Sequence, residues 1–265
     1  MTVRPTVSVV VPAFNAERFL PRALDSVIAQ SFGNWEIVLV DDGSSDRTAD
    51  VARDYARRLA GRLTSIRQPH GGSSRARNRG IDASRGQFIA FLDADDEFLP
   101  AKLERQLRLF ELRPDLGFVY SDYAFVDLDS VRHESAFDAT HPAARAVPFE
   151  TIEPGLCVCG TCLFDFLIRA YFISTIVGMV RREVLGASIR FSTNQIFGEE
   201  WLFYLQVARV CAAGFVDEPL SIYHYRQGSL ARADKARNAA AYLRLLKAME
   251  VSLGRLSRIH RRVVR

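Results

Sequence analysis

The sequence predicts an α/β fold: a mixed, mostly parallel sheet flanked by helices, with a C-terminal helical extension. Three observations point there. Strand-like and helix-like segments alternate through the first 113 residues, the order that βαβ units require. The strand-like runs are apolar throughout, as strands are when helices cover both faces of a sheet. Two of those strands stop abruptly at acidic clusters, and the carboxyl ends of such strands are where open α/β sheets bind ligands.

The elements follow in order. Val7–Val11 is a β-branched run ended by Pro12, the first strand. A helix then opens at Asn15 or Ala16, with Phe19, Leu20, Ala23, Leu24, Val27 and Ile28 at helical spacing. Gly33-Asn34 breaks it, and Trp35–Val40 is the second strand, ending in Asp41-Asp42-Gly43-Ser44-Ser45-Asp46. Ser45 or Asp46 suits the cap of a helix over Thr48–Leu59. Leu63–Arg67 reads as a third strand, Arg75–Ser84 as a helix, and Phe88–Leu92 as a fourth strand running into Asp93, Asp95 and Asp96. Pro100 then suits the first turn of a helix carrying Leu103, Leu107 and Phe110. Beyond Pro114 the pattern loosens. Phe118–Ser121 is expected as a strand, Asp127–Pro154 as a long loop or mobile flap, and Phe172–Val180 as a strand. Glu199–Ala213 reads as a helix, Phe215–Tyr225 as a strand, and Ala231–Arg265 as a helix.

Composition narrows the function. The chain has 265 residues, 48% hydrophobic and 25% charged, as expected of a globular protein with a substantial core. A net charge of +4 gives no reason to expect a nucleic-acid partner. Thr2–Thr6 leads straight into a strand without the look of an export signal, so a cytoplasmic protein with reduced thiols is expected. The longest apolar region, Leu156–Val180, contains Asp165 and Arg169 and fails as a membrane span. Cys157, Cys159 and Cys162 lack the second cluster of a metal site and read as structural thiols.

Right-handed crossovers put the ends of the first, second and fourth strands on one edge of the sheet, so acids far apart in sequence converge. The crowded carboxylates at 93–96 repel one another unless a cation or a hydrogen-bonding ligand holds them. An all-oxygen donor set favours Mg²⁺ or Mn²⁺. The alternative is an acidic loop capping the next helix.

Four stretches in register, VSVVVPAFNAERFLPRALDSVIAQSF (7–32), WEIVLVDDGSSDRT (35–48), RARNRGIDASRGQFIAFLDADDEFLPAKLERQ (75–106) and FGEEWLFYLQVA (197–208), resemble the family-2 glycosyltransferases; YHYRQGSL (223–230) is a weaker match. The resemblance implies a GT-A-type, Rossmann-like fold. It also implies a domain over 1–230, with a nucleotide-sugar-binding half (1–121) and an acceptor-binding half (122–230), followed by a tail over 231–265. It further implies transfer, with inversion, from a nucleotide-sugar donor, most readily UDP-linked, to a glycan or lipid-linked acceptor of the cell envelope.

Carried over residue by residue, Pro12, Ala13, Phe14 and Asn15 and the Asp41-Asp42 turn hold the nucleotide, with Phe14 suited to stack on the base. Arg77 reaches its phosphate or ribose. Asp93, Ala94 and Asp95 form the D-x-D segment, with Asp95 and Asp93 as ligands of Mn or Mg and His224 as a further ligand. Glu199-Glu200 stands where the family has a Glu-Asp pair. Glu200 is the expected general base, one methylene longer than usual, and Glu199 the alternate. Trp201 and Arg226 are expected near the acceptor or diphosphate. The rival readings are a nucleotidyltransferase, which the PAFNAERF segment fits poorly, and a non-catalytic nucleotide- or glycan-binding module. In the tail, Arg255, Arg258, Arg261, Arg262 and Arg265 lie opposite an apolar stripe. Such a helix suits either peripheral contact with the inner face of a membrane or packing with a solvated basic face.

Overall fold

A computed structural model of the chain describes residues 5–194 and 198–226. The first half follows the expected order: β1 (Val7–Ala13), α1 (Leu20–Ile28), β2 (Trp35–Asp41), α2 (Thr48–Arg58), β3 (Leu63–Arg67), α3 (Ser73–Ala83) and β4 (Phe88–Phe91). A two-residue β5 (Glu97–Phe98), α4 (Lys102–Leu112) and the eleven-residue β6 (Leu116–Val126) come next. β7 (Arg132–His133), α5 (Ala136–Ala139), α6 (Pro142–Arg145), β8 (Glu150–Glu153), β9 (Leu156–Gly160) and α7 (Leu163–Leu167) lead to a 3₁₀ turn at Thr175–Val177. β10 (Gly178–Arg181), α8 (Arg182–Leu185), α9 (Glu199–Val210) and β11 (Ala212–His224) complete the described chain.

One mixed sheet runs through all of it, in the order β3-β2-β1-β4-β10-β6-β11-β9-β8. β3, β2, β1 and β4 are parallel, as is the long β6–β11 pair, while β10 enters antiparallel between β4 and β6. The apolar runs are buried on both sides. Val7, Val9 and Val11 of β1 point into one core and Val10 into the other, all fully buried. Each such side chain contributes about 1.5–3 kcal/mol by leaving water. Pro12 does not end β1 as expected. Pairing with β4 stops at Val10, so Pro12 lies where its missing N–H leaves no ladder bond unmade on that side.

Three expectations need correction. Asp127–Pro154 is not a mobile flap, because it is packed and pinned. Phe137 is fully buried and stacks on Phe215. The buried Asp122 accepts from Ser135 Oγ at 2.6 Å and from the Phe137 amide at 3.2 Å. Arg145 meets Asp122 at 3.4 Å and Asp138 at 2.8 Å, and also pairs with Asp217. Phe172–Val180 is a strand only at its end, because residues 175–177 turn as a 3₁₀ helix whose carbonyls take side-chain donors: Tyr204 Oη on Thr175, Ser221 Oγ on Ile176, Lys102 Nζ and Gln106 Nε2 on Val177. Ile28, expected on the inner face of α1, is 37% exposed.

Two features aim the chain at the carboxyl edge. β11 slips register on both sides of Pro219, which lets it pair with β6 and, at Ser221 and Ile222, with β5. That brings its end beside the 93–96 loop. α3 lies close on β1 through Gly80, where a Cβ would meet Val10 Cγ1 at 2.3 Å. The expected tail helix (231–265) and the last residues of the 223–230 segment lie outside the described residues. Among the described residues, no helix is long and apolar enough to cross a membrane.

Gly80→Ala is expected to destabilise the chain by about 1–3 kcal/mol by prising α3 off β1. The check is chemical denaturation: the midpoint should fall with an unchanged m-value. An unchanged midpoint would show that α3 has slack there.

Candidate active site

A cavity of about 1010 Å³ opens at the carboxyl edge of the parallel strands. Its first wall is the end of β1. Phe14 is 47% exposed and stacks on His70, ring centroids 4.2 Å apart. Asn15 adopts the left-handed conformation (φ 48°); its amide donates to Ser44 Oγ and its Oδ1 accepts from the Ser45 amide. The β1 loop is thereby tied to the β2 loop.

The two aspartates after β2 have different positions. Asp42 lines the cavity, and its carboxylate accepts from the Gly71 and Gly72 amides (3.0 and 2.7 Å) and from Gln68 Nε2 (2.7 Å). His70 Nδ1 lies 2.9 Å from it. Asp42 therefore shapes the loop that presents His70. Asp41 does not reach the cavity wall. It is 1% exposed, takes the Ser44 amide at 2.9 Å and faces Arg67, so it acts as a turn-former.

Arg77 is the centre of the site. It projects from α3 and is 5% exposed, with Nη2 2.7 Å from Asp93 Oδ1 and Nη1 3.3 Å from Glu199 Oε1. Burial alone would disfavour its charge, but Asp93 and Glu199 more than offset that and hold the guanidinium protonated. Asn78 exchanges two 2.8 Å hydrogen bonds with the Phe191 backbone, fixing the segment before α9.

The acids after β4 separate into distinct roles. Asp93 and Asp95 line the cavity with Ala94. Asp95 Oδ2 is 2.8 Å from Arg226 Nη2, and Arg226 lies over the Phe19 ring. Burial and the neighbouring Arg22 lower the Arg226 pKa to about 10. Asp96 is buried beneath the cavity floor and accepts the His224 amide at 2.9 Å. Burial and the charge of Asp93 push its carboxyl well above the usual range. His224, expected as a further metal ligand beside Asp93 and Asp95, turns away from them. Its Nε2 is 2.7 Å from Glu97 Oε1 and it stays off the cavity wall.

No group of three or more His, Cys, Asp or Glu side chains among the described residues forms a metal cluster. The cysteines likewise form none: the Cys159 and Cys162 thiols donate to backbone carbonyls. Asp93 and Asp95, both on the 93–95 segment, supply two hard oxygen donors on the cavity wall. That set suits Mg²⁺ or Mn²⁺ when a diphosphate and water supply the remaining ligands.

Opposite them, α9 begins at Gly198 (φ 73°) and presents Glu199 and Glu200. Burial and the charge of Glu200 raise the Glu199 carboxyl to about 8, against the pull of Arg77. Glu200 accepts from Tyr171 Oη at 2.8 Å. Trp201 lines the cavity, but its Nε1 donates to Leu167 O at 2.6 Å, which makes it part of the wall's frame. Tyr123, His141, Tyr171, Tyr223 and Tyr225 make the rest of this side aromatic. Tyr223 and Tyr225 lie in the 223–230 stretch singled out in the sequence, although not as site residues; Tyr123, His141 and Tyr171 were missed. His70 was within reach, since it follows β3 on the same edge, whereas Tyr171 and His141 lie in segments without periodicity.

A mixed, mostly parallel sheet flanked by helices, with its cavity at the carboxyl edge of the parallel strands, is a GT-A-type architecture. The chain belongs to glycosyl transferase family 2, whose profile matches residues 8–166. Among curated relatives, the uncharacterised glycosyltransferase EpsJ of Bacillus subtilis is 46% identical over 38% of this chain and 29% of its own length. WfgD of Escherichia coli, named as a UDP-Glc:alpha-D-GlcNAc-diphosphoundecaprenol beta-1,3-glucosyltransferase, is 34% identical over 47% of this chain and 48% of its own. The chain spans no more than half the length of these and similar curated relatives. In structure, S. aureus TarS 1-349 in complex with UDP-GlcNAc superposes with a TM-score of 0.73 at 20% identity, over 96% of this chain and 69% of that one. A Pyrobaculum calidifontis mannosyltransferase in complex with GDP-Man and Mn²⁺ gives 0.65 at 18% identity, over 94% and 65%. These two likenesses establish the fold.

The raised Glu199 carboxyl has a consequence for stability. Its proton stays on in the folded state up to pH of about 8 but leaves the unfolded chain near pH 4.5. The unfolded state therefore binds fewer protons between those values, and stability attributable to this group falls as pH rises through that window. Glu199→Gln should raise the thermal midpoint relative to wild type by an amount that grows from pH 5 to pH 8.5. Melting curves across that range check it, and a gain independent of pH would contradict the raised carboxyl.

Proposed function

We propose that this chain transfers a sugar, with inversion, from a nucleotide-sugar donor, most readily UDP-linked, to a hydroxyl of a glycan or lipid-linked acceptor. One observation carries the reading. Asp93 and Asp95, Arg77 and the Glu199-Glu200 pair face a single cavity in a chain of this family. Residues 1–121 form the donor half and 122–230 the acceptor half. The base is placed against Phe14 and His70, whose exposed stack suits a planar ring. The diphosphate lies towards Asp93, Asp95 and Arg77. A Mg²⁺ or Mn²⁺ ion held by Asp93 and Asp95 would neutralise charge on the departing diphosphate.

The chain's own residues do the rest. Arg77 carries a fixed positive charge beside the leaving group and needs no reorganisation as negative charge develops there. Glu200 accepts the proton of the acceptor hydroxyl as its oxygen bonds to the anomeric carbon and the bond from that carbon to the diphosphate breaks. Glu199 is engaged by Arg77 at 3.3 Å, which makes it the weaker candidate for the base. The aromatic side of the cavity suits a sugar ring of the acceptor. The UDP-linked donor draws support from the UDP-GlcNAc in the TarS complex and from the name of WfgD, whose acceptor is lipid-linked.

Thermal shift with UDP-sugars, with and without Mn²⁺, tests the donor site. Asp95→Ala is expected to abolish the metal-dependent shift. Glu200→Gln should keep that shift and lose transfer by about 10²–10⁴-fold. Full activity in Glu200→Gln alongside a dead Glu199→Gln would reverse the assignment within the pair.

A further inference from the structure

One polar contact of the site has no part in the scheme above. Tyr171, between α7 and β10, donates its hydroxyl to Glu200 Oε1 at 2.8 Å. Burial and the charge of Glu200 push the Tyr171 hydroxyl well above its usual range, so it acts as a donor. The ring is fixed from two sides: Trp201 lies 6.0 Å away and His141 6.2 Å away in an edge-on arrangement. His141 is in turn 3.1 Å from Tyr123 Oη. The hydroxyl is thus held by its surroundings, and the flexible partner is the glutamate.

This contact bears on the one place where the acid pair departs from the family's usual Glu-Asp. A glutamate has an additional rotatable bond and, unanchored, samples positions spread over more than a bond length, enough to cost catalysis. We propose that Tyr171 is a positioning residue for the general base: its hydrogen bond anchors the flexible Glu200 arm and fixes where its carboxylate meets the acceptor hydroxyl. The proposal rests on Glu200 being the base. The same bond favours the charged carboxylate, the form that accepts a proton. The other titratable groups facing Glu200 are Glu199 and Tyr204 on α9, Arg77 on α3 and Tyr223 on β11. Of these, Glu199 is held protonated by its raised pKa, and Tyr204 gives its hydroxyl to the Thr175 carbonyl. Glu199 also hydrogen-bonds Glu200 from the same helix turn, and Tyr171 is the donor that reaches Glu200 from outside α9.

Two measurements on the full chain test this. In protein carrying carbon-13 at glutamate Cδ, the Glu200 resonance is identified by its loss in Glu200→Gln. Tyr171→Phe, which keeps the ring and its packing, should raise the Glu200 titration midpoint by about one to two pH units. An unmoved midpoint overturns the proposal without reference to activity. The second measurement is hydrolysis of UDP-GlcNAc or UDP-glucose, with water in place of the acceptor. Tyr171→Phe should lower kcat about tenfold or more while leaving the donor KM within about twofold. Glu200→Asp, although it restores the family's usual residue, should lose about as much, because its carboxylate no longer reaches Tyr171. The double variant should lose little more than either alone. Full activity in Glu200→Asp, or independent losses in the double variant, would overturn the anchoring role. If the titration moves but Glu200→Gln hydrolyses donor like wild type, the hydrogen bond stands and the assignment of the base fails.

Discussion

The site depends on one buried cation. Arg77 sits between Asp93 after β4 and Glu199 at the start of α9, and it joins the two sides of the cavity through a single side chain. Losing the Asp93 carboxylate, the closer partner at 2.7 Å, is expected to cost about 3–5 kcal/mol, because the buried guanidinium is left uncompensated. Its position is set far from the cavity, by the close approach of Gly80 to Val10 that seats α3 on β1. Packing at the sheet face therefore fixes a charge at the sheet edge.

Electroneutrality then orders the protons. One guanidinium faces Asp93, Glu199 and Glu200, and in a buried setting three carboxylates around one cation cannot all ionise without large cost. Burial and the charge of Glu200 raise the Glu199 carboxyl to about 8. Glu200, the other member of the pair, accepts a hydrogen bond from Tyr171 instead. Two adjacent glutamates thus acquire separate roles through their neighbours.

The first half of the fold was legible because its signals are local. Apolar strands ended by acids, helical spacing in 48–59 and the Asp93-x-Asp95 segment all lie where the sequence pattern puts them. The second half was less legible because long-range contacts decide it. Phe137 and Arg145 pin the 127–154 segment through partners on β6 and β11 that no local pattern announces. On α4, Lys102 and Gln106 are polar residues beside the apolar stripe, with nothing local to mark them as core. Both are instead fully buried, donating to the Val177 carbonyl, and burial lowers the Lys102 pKa to about 7. Within the site, the type of residue was readable but its direction was not. His224 turns to Glu97 and Asp41 to the Ser44 amide, while Tyr171 enters from a stretch without periodicity.

The most direct test of the account is a crystal structure of the full chain with an intact UDP-sugar and Mn²⁺. The account predicts the diphosphate against Asp93, Asp95 and Arg77, and the anomeric carbon facing Glu200 from the side opposite the leaving group. A donor seated on the aromatic side, with Glu200 remote from the anomeric carbon, would contradict it.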